Sequence, residues 1–313
     1  MTPISTSSTP DPSHAGDQAL PDCAADPTRA LTAMFVDRFQ GDRIVRGQSP
    51  VERPVFLKQH GVAHGALTVR PDLPEELRVG FLKTARQRPE GLTAWVRFSS
   101  DIVPSRRDLR STLGMGIKLF GVPGQKLLES DSDADTQDLL LQNHDVFFAD
   151  TSRDMCEFIR SGLSGDRESY LQGHPVTRQI LDAMAKVEDS ALTATYWSVL
   201  PYTFGLDRFV KYKLVPAGCA RGDPAATPAD ENPRYLADDL AHRLAYGQAA
   251  FDLLVQLRTD PAAMPLDRAT VRWEERASPP IPVARLTLAR QDVNSRGQAE
   301  YGSKGCPVTA GHG

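Results

Sequence analysis

The stretch Lys58-Gln59-His60-Gly61-Val62-Ala63-His64 leads into an alternating apolar segment, Ala66-Leu67-Thr68-Val69. Two related segments follow along the chain, Val96-Arg97-Phe98-Ser99-Ser100 and Leu141-Gln142-Asn143-His144-Asp145-Val146-Phe147-Phe148. Each follows or interrupts an extended apolar stretch, a pattern that is typical of β-strands. Each also supplies one polar side chain, so that the three segments together offer an imidazole, a hydroxyl and a carboxamide.

The rest of the chain combines further strands with helices. Alternation of apolar and polar residues predicts strands over 66–69, 93–98, 116–121 and 139–143, and later over 209–214 and 281–290. Helical spacing predicts helices over 74–83 and 153–184, and one long amphipathic helix over 233–256. An antiparallel sheet followed by helices favours an α+β domain built on a barrel.

Composition limits the classes of partner. The chain has 313 residues, of which 40% are hydrophobic, so it is long enough to bury a large core. Its formal net charge is −4 and its Lys and Arg residues are dispersed, so a nucleic-acid partner is not expected. No stretch is apolar for the roughly 18 residues that a membrane span requires.

The beginning of the chain differs in composition from the rest. Residues 1–28 are rich in Ser, Thr, Pro, Asp and Ala and poor in large apolar side chains, so we expect a disordered leader. This leader has no basic start and no apolar segment of the kind found in secretory signals, which predicts a cytoplasmic location. The four cysteines, Cys23, Cys156, Cys219 and Cys306, are widely spaced, and reduced thiols are therefore expected.

The order, intervals and flanking residues of the three opening segments resemble those of the catalase superfamily, especially its short bacterial members. The resemblance runs from about Arg53 to Asn294. It implies an eight-stranded antiparallel β-barrel with helices packed against it. On this basis we expect a barrel domain over 29–295, preceded by the leader and followed by a divergent, flexible tail over 296–313.

The resemblance also implies a cofactor, haem b, and roles for the three polar residues. His60 matches the distal acid–base group, which must exchange protons with both oxygens of a bound peroxide. Ser99 matches the hydroxyl that orients this imidazole, and Asn143 matches the carboxamide that hydrogen-bonds the peroxide. His64, four residues after His60, is the competing histidine.

Other residues match the family's cofactor-binding positions. Arg97 matches an arginine that pairs with a haem propionate through its planar guanidinium. Val62 and Phe148 match positions that line the haem pocket, although an aromatic pair such as Phe147 and Phe148 is also typical of core packing. The family usually has Asp-x-Arg directly before a glycine, whereas Asp108-Leu109-Arg110 is separated from Gly114 by three residues.

The family's iron ligand is a tyrosine four residues after an arginine, and this chain lacks that motif. The nearest equivalent, Arg296 and Tyr301, is five residues apart, which on a helix separates the two side chains by about 140°. Tyr301 and Cys306 are therefore weak candidates for the ligand, as is His312, because each lies in the expected flexible tail.

Two functions follow from these patterns. The first is a haem-dependent oxidoreductase of catalase or peroxidase type that acts on hydrogen peroxide or an organic hydroperoxide, with His60 as the acid–base group. The alternative is a haem-free, non-catalytic scaffold or binding protein that has lost the proximal ligand. The patterns leave open whether copies of the chain assemble.

Overall fold

The computed structural model describes residues 20–48, 53–126, 134–219 and 232–298. Within these ranges the strands are β1 (Lys58–Val69), β2 (Leu92–Ser100), β3 (Leu113–Phe120), β4 (Thr136–Gln142), β5 (Tyr196–Trp197), β6 (Tyr202–Thr203), β7 (Phe209–Cys219), β8 (Ala249–Leu257) and β9 (Ile281–Leu288). The α-helices are α1 (Pro27–Thr32), α2 (Gly41–Val45), α3 (Gly80–Arg86), α4 (Ser152–Ser164), α5 (Arg167–Gly173), α6 (Pro175–Met184) and α7 (Tyr235–Tyr246). A π-helical segment (Ala33–Gln40) joins α1 to α2, and a 3₁₀ turn (Glu75–Leu77) precedes α3.

The strands form one closed antiparallel barrel. β1 to β4 pair in chain order, and β1 also pairs with β9, from which the sheet continues through β8 to β7. The short strand β5 pairs with both β4 and β7 and so closes a ring of eight strands, while β6 extends only from β7. The prediction of an α+β fold with an eight-stranded antiparallel barrel is confirmed.

The interior of the barrel is filled by alternate residues of each strand. On β2, for example, Leu92, Ala94, Val96 and Phe98 are fully buried, as the two-residue period of a strand requires. Helix α7 adds a buried face to the same core through its residues Leu236, Leu240 and Leu244. These leucines lie four residues apart, so they point to one side of the helix.

Two predicted helices have different bounds in the structure. The single helix predicted over 233–256 is wrong, because α7 ends at Tyr246 and strand β8 begins at Ala249. Apolar residues of β8 recur every second position and face the core, and some of these positions also coincide with a helical period. The helix predicted over 74–83 is split into the 3₁₀ turn and the start of α3, because Gly80 between them has a left-handed φ of 51°.

A disulfide bond connects the N-terminal segment of the described chain to helix α4. Cys23 and Cys156 form a disulfide between the segment before α1 and helix α4, and both residues are buried. The expectation of reduced thiols is wrong for this pair, because residues 133 positions apart in sequence become neighbours when α1 packs on α4. The end of the expected leader therefore includes a buried cysteine and the first residues of α1.

This disulfide bears on the predicted location of the chain. Disulfides persist mainly in oxidising compartments, so Cys23–Cys156 does not favour the cytoplasm that composition suggested. None of the helices in the described ranges combines the length and apolar character that crossing a bilayer requires.

A buried ion pair joins β3 to β4 and leads to a prediction about stability. Lys118 and Asp138 face each other across the two strands, and Nζ lies 2.9 Å from both carboxylate oxygens. Because removal of one partner leaves a buried charge without its counter-ion, Asp138→Ala is expected to lower the free energy of unfolding by about 3–5 kcal/mol in chemical denaturation.

The barrel supplies a matched control for this substitution. Asp252 and Arg285 also form a cross-strand ion pair, on β8 and β9, but Arg285 is exposed and Asp252 is only partly buried. We expect Asp252→Ala to change the unfolding free energy by no more than about 1 kcal/mol. Equal effects of the two substitutions would contradict the role assigned to burial.

Candidate functional site

His60 occupies an irregular position on β1. The register between β1 and β2 shifts between Gln59 and Gly61, so that His60 is the extra residue of a β-bulge. Bulges interrupt the alternation of a strand and redirect a side chain. The imidazole is fully buried at the end of the barrel, where Leu240 of α7 packs directly on the neighbouring Gly61.

The two ring nitrogens of His60 have different surroundings. Nε2 lies 3.2 Å from the hydroxyl oxygen of Ser100, at the end of β2. Nδ1 is buried and has no hydrogen-bond partner among the described residues, and Oδ2 of Asp108 lies 3.8 Å away. The imidazole is therefore placed between a hydroxyl and a carboxylate.

Asp108 is itself held by several groups. Its Oδ1 lies 2.5 Å from Nζ of Lys58, and its Oδ2 accepts a hydrogen bond from the backbone N–H of Leu236. The Lys58 ammonium also donates to the carbonyls of Arg106 and Pro233. A buried carboxylate and a buried ammonium thus neutralise each other directly behind the imidazole.

The environment keeps His60 neutral. Burial lowers its pKa from 6.5 to about 4, since the charged form loses hydration. The carboxylate of Asp108 opposes this change, and the cations Lys58, Arg97 and Arg234 reinforce it. At neutral pH the ring is therefore able to accept a proton, as an acid–base group must.

The lowered pKa predicts a dependence of stability on pH. The unfolded chain, with the ordinary pKa, takes up a proton on His60 below about pH 6.5, and the folded chain only near pH 4. Stability from this group is therefore complete above pH 6.5 and is lost as the pH falls to 4, by about 3 kcal/mol in total. Urea denaturation of the wild type and of His60→Gln across this range measures the difference, and parallel pH curves would contradict it.

The hydroxyl that contacts His60 belongs to Ser100 and not to Ser99. Successive residues of a strand point to opposite faces, so only one of the two serines can face the imidazole. The Ser99 hydroxyl instead donates to the carbonyl of Gly114 on β3. The sequence contained this alternative, because two serines are adjacent at the end of β2.

Asn143 lies near the same end of the barrel, but both ends of its carboxamide form hydrogen bonds within the protein. Oδ1 accepts from the backbone N–H of Leu113, which pairs with Ser100 across β2 and β3. Nδ2 donates to Oε1 of Glu188 at 2.8 Å. The hydroxyl of Tyr235 then connects the backbone carbonyls of Glu188 and Asp108. Asn143 therefore belongs to the same buried polar network as His60 without contacting the imidazole directly.

Arg97 and Val62 lie opposite each other on β2 and β1. The guanidinium of Arg97 donates to Oε1 of Gln59 and to the carbonyl of Phe56, and both acceptors are neutral. Burial and the nearby charge of Arg53 lower the pKa of Arg97 to about 10. An anionic ligand would stabilise the charge of Arg97.

Phe148 lies away from this group of residues. Its ring packs between Phe147 and Phe158, with centroids 4.5 and 4.6 Å away, in the apolar cluster under α4. This contact corresponds to the core-packing alternative for the aromatic pair.

The competing histidine is separated clearly from His60. His64 is exposed, its ring contacts Trp95 edge-on, and its backbone N–H donates to the side chain of Gln291. No group of His, Cys, Asp and Glu residues in the described ranges is arranged to hold a metal ion. Tyr301 and Cys306, the candidate iron ligands, lie outside the described residues.

Comparisons with known proteins place this geometry in context. No family model and no curated protein sequence matches the chain. Among solved structures, a fungal catalase matches with a TM-score of 0.59 and 20% identity over 81% of this chain and 52% of that one. A bacterial catalase matches with a TM-score of 0.59 and 19% identity, over 94% of this chain and 59% of its own. The fold is that of catalases.

The catalase-like fold does not by itself establish an activity. Identities near 20% show a shared architecture, and the chain spans a little over half the length of the two catalases. The chemistry has to be argued from the residues around His60. Lys58, Ser100 and Asp108 complete that group, and sequence reasoning had not selected any of them.

The residues on β1 and β2 fit a haem in two respects. The imidazole of His60 is buried and neutral, so it can accept a proton at neutral pH. Arg97 is a partly buried cation whose hydrogen bonds run to neutral oxygens, so its charge is available to pair with a propionate. The described residues do not include an assigned axial ligand.

Proposed function

We propose that this protein is a haem-dependent oxidoreductase of catalase or peroxidase type, with hydrogen peroxide or an organic hydroperoxide as substrate. One observation carries the proposal: a buried, neutral imidazole lies on the first barrel strand of a catalase-like fold, between a hydroxyl and a carboxylate. Such an imidazole can take a proton from one peroxide oxygen and return it to the other.

The proposed cofactor is haem b, bound beside β1 and β2. Arg97 would pair with a propionate, and Val62, its neighbour across the strands, would contribute apolar surface. Phe148 is not assigned a role in the site, because its ring packs in the separate cluster under α4. When bound, the haem iron supplies the redox chemistry of peroxide reduction.

The chain's own residues supply proton transfer and orientation. His60 remains uncharged until the pH approaches 4, so it is available as a base throughout the neutral range. The hydroxyl of Ser100 holds one ring nitrogen in a fixed direction. To bind the substrate, Nδ2 of Asn143 would have to break its hydrogen bond to Glu188 and donate to the peroxide instead. Ser99 would stabilise the end of β2 through its hydrogen bond to the carbonyl of Gly114 on β3.

The axial ligand is proposed to come from the last residues of the chain. Among the described tyrosines, burial raises the pKa of Tyr170, Tyr196, Tyr202, Tyr212 and Tyr235. A raised pKa disfavours the phenolate that would bind iron. Tyr301 and Cys306 are retained as candidates, because each could donate an anionic oxygen or sulfur atom.

A haem-free scaffold or binding protein is the second candidate function. It is favoured by the full burial of the His60 side chain and by the hydrogen bonds at both ends of the Asn143 carboxamide. In this case the polar network would stabilise the end of the barrel and would have no catalytic role.

Titration of purified protein with hemin separates the two functions. Saturable uptake with a Soret band supports the haem protein, whereas spectra that match free hemin support the scaffold. Arg97→Leu is expected to weaken uptake, while Arg285→Leu, in an exposed ion pair on β9, is the control. Loss of the charge-transfer band in Tyr301→Phe or in Cys306→Ser would identify the ligand. Assembly of copies remains a prediction, as does a cytoplasmic location, which the Cys23–Cys156 disulfide does not favour.

A further inference from the structure

The carboxylate of Asp108 faces the unpartnered nitrogen of His60. Oδ2 lies 3.8 Å from Nδ1, and both side chains are fully buried. On the other side of the ring, Nε2 lies 3.2 Å from the hydroxyl of Ser100. The imidazole therefore lies between a carboxylate and a hydroxyl, with a different chemical group near each ring nitrogen.

The position of this carboxylate is determined from several directions. Lys58, two residues before His60 on β1, forms an ion pair with Oδ1. The first turn of α7 contributes two contacts, because the N–H of Leu236 donates to Oδ2 and the hydroxyl of Tyr235 donates to the backbone carbonyl of Asp108. Asp108 thus cannot turn away from the ring without breaking contacts to β1 and to α7.

We infer that Asp108 is a positioning residue for His60, which keeps the imidazole proton on Nδ1 and leaves Nε2 as the atom that accepts a proton. A negative charge beside one ring nitrogen stabilises the tautomer that carries its proton there. The Ser100 hydroxyl then donates to the electron pair of Nε2 in the resting protein, and this hydrogen bond must break before Nε2 takes a proton from a substrate. For turnover this role depends on the proposed function, but the tautomer itself does not.

The surrounding charges support this assignment. Lys58 on β1, Arg97 on β2 and Arg234 before α7 are cations that disfavour a protonated ring, and Asp108 is the anion that opposes them. Because Asp108 opposes the effect of all three cations, its removal should lower the pKa of His60 by a measurable amount. Burial remains the largest effect on the pKa of His60.

The same three groups in the same order occur in acyl-transfer enzymes, where the serine is the nucleophile. Here Ser100 is fully buried and its neighbour across the strands, Leu113, belongs to the barrel core. A nucleophile needs access to a substrate carbonyl, so the geometry assigns Ser100 an orienting role.

The tautomer can be measured by NMR on the chain as isolated, without added haem. Long-range ¹H–¹⁵N correlation distinguishes protonated from unprotonated ring nitrogens, and His60→Gln identifies the His60 signals among the seven histidines. We expect the Nδ1–H tautomer in the wild type. In Asp108→Asn we expect a shift toward the Nε2–H tautomer and a further fall in the pKa of His60.

Two additional variants keep the test decisive. Asp101→Asn removes a carboxylate from the same loop that bonds the backbone N–H of Thr112 and serves as the matched control. If Asp108→Asn does not fold, the double variant Lys58→Met with Asp108→Asn removes both members of the buried pair and leaves no single charge behind. An Nε2–H tautomer in the wild type, or unchanged His60 signals in the variants, would overturn the inference.

Turnover measurements separate this inference from the proposed function. In haem-loaded protein, Asp108→Asn should lower kcat by roughly 10- to 100-fold with little change in KM, while Asp101→Asn leaves both unchanged. If His60→Gln abolishes turnover and Asp108→Asn does not affect it, the positioning role fails and the function stands. If the Nδ1–H tautomer is found but no haem binds, the function fails and the positioning role stands.

Discussion

Replacement of His60 by glutamine is expected to lower peroxide turnover of the haem-loaded protein by about two to four orders of magnitude, the usual size of an acid–base contribution. Glutamine fills a similar volume and can still hydrogen-bond Ser100, but it cannot accept and return a proton at neutral pH. The loss should therefore fall on kcat and leave haem uptake unchanged. Stopped-flow measurement of peroxide consumption at matched haem content tests this expectation.

His64→Gln is the matched control for this prediction. His64 lies on the same strand, four residues further along, but it is exposed and contacts Trp95 and not the buried network. Turnover of His64→Gln should equal that of the wild type. Wild-type turnover in His60→Gln would remove this residue from the mechanism, and equal losses in both variants would indicate a general effect on β1.

Loss of the Cys23–Cys156 disulfide is expected to have the largest effect on stability. The bond connects residues 133 positions apart, and closing so long a loop restricts the unfolded chain strongly. In the chain-entropy treatment, Cys156→Ser lowers the free energy of unfolding by up to about 5 kcal/mol. Urea denaturation of this variant and of the wild type, under non-reducing conditions, provides the measurement.

Reduction of the wild type with a thiol should reproduce the effect of Cys156→Ser and should add nothing to it in the variant. Cys23→Ser, which removes the same bond from its other end, is the matched variant and should lose as much stability as Cys156→Ser. Equal stability of Cys156→Ser and the wild type would contradict a stabilising role. In Cys156→Ser, limited proteolysis is expected to cut near α1, because the disulfide no longer connects the segment before this helix to α4.

Local patterns were sufficient for much of the barrel. Strands β1 to β4 overlap the predicted alternating segments, because a two-residue period and a buried face depend only on neighbours in sequence. The prediction over 233–256 was wrong because Phe251 and Val255 fit a helical period as well as a strand. Local periodicity alone does not distinguish a helix from a strand when both would bury the same residues.

The candidate site was predicted only in part. The resemblance selected His60 and Asn143, both of which lie in one buried polar network, but it selected Ser99 where Ser100 contacts the imidazole. The choice between adjacent serines depends on the bulge at His60, which arises from the register of two strands. Asp108 was noticed only as part of a displaced Asp-x-Arg motif.

The amino-acid sequence by itself predicted most of the long barrel strands and the helical segment after residue 152, because these depend on spacing along the chain, whereas His60 was selected through the resemblance to catalases. Only the tertiary structure decided that Cys23 meets Cys156, and that His60 lies between Ser100 and Asp108. These contacts join residues far apart in sequence, and their geometry follows from strand register and helix packing, which no local pattern contains.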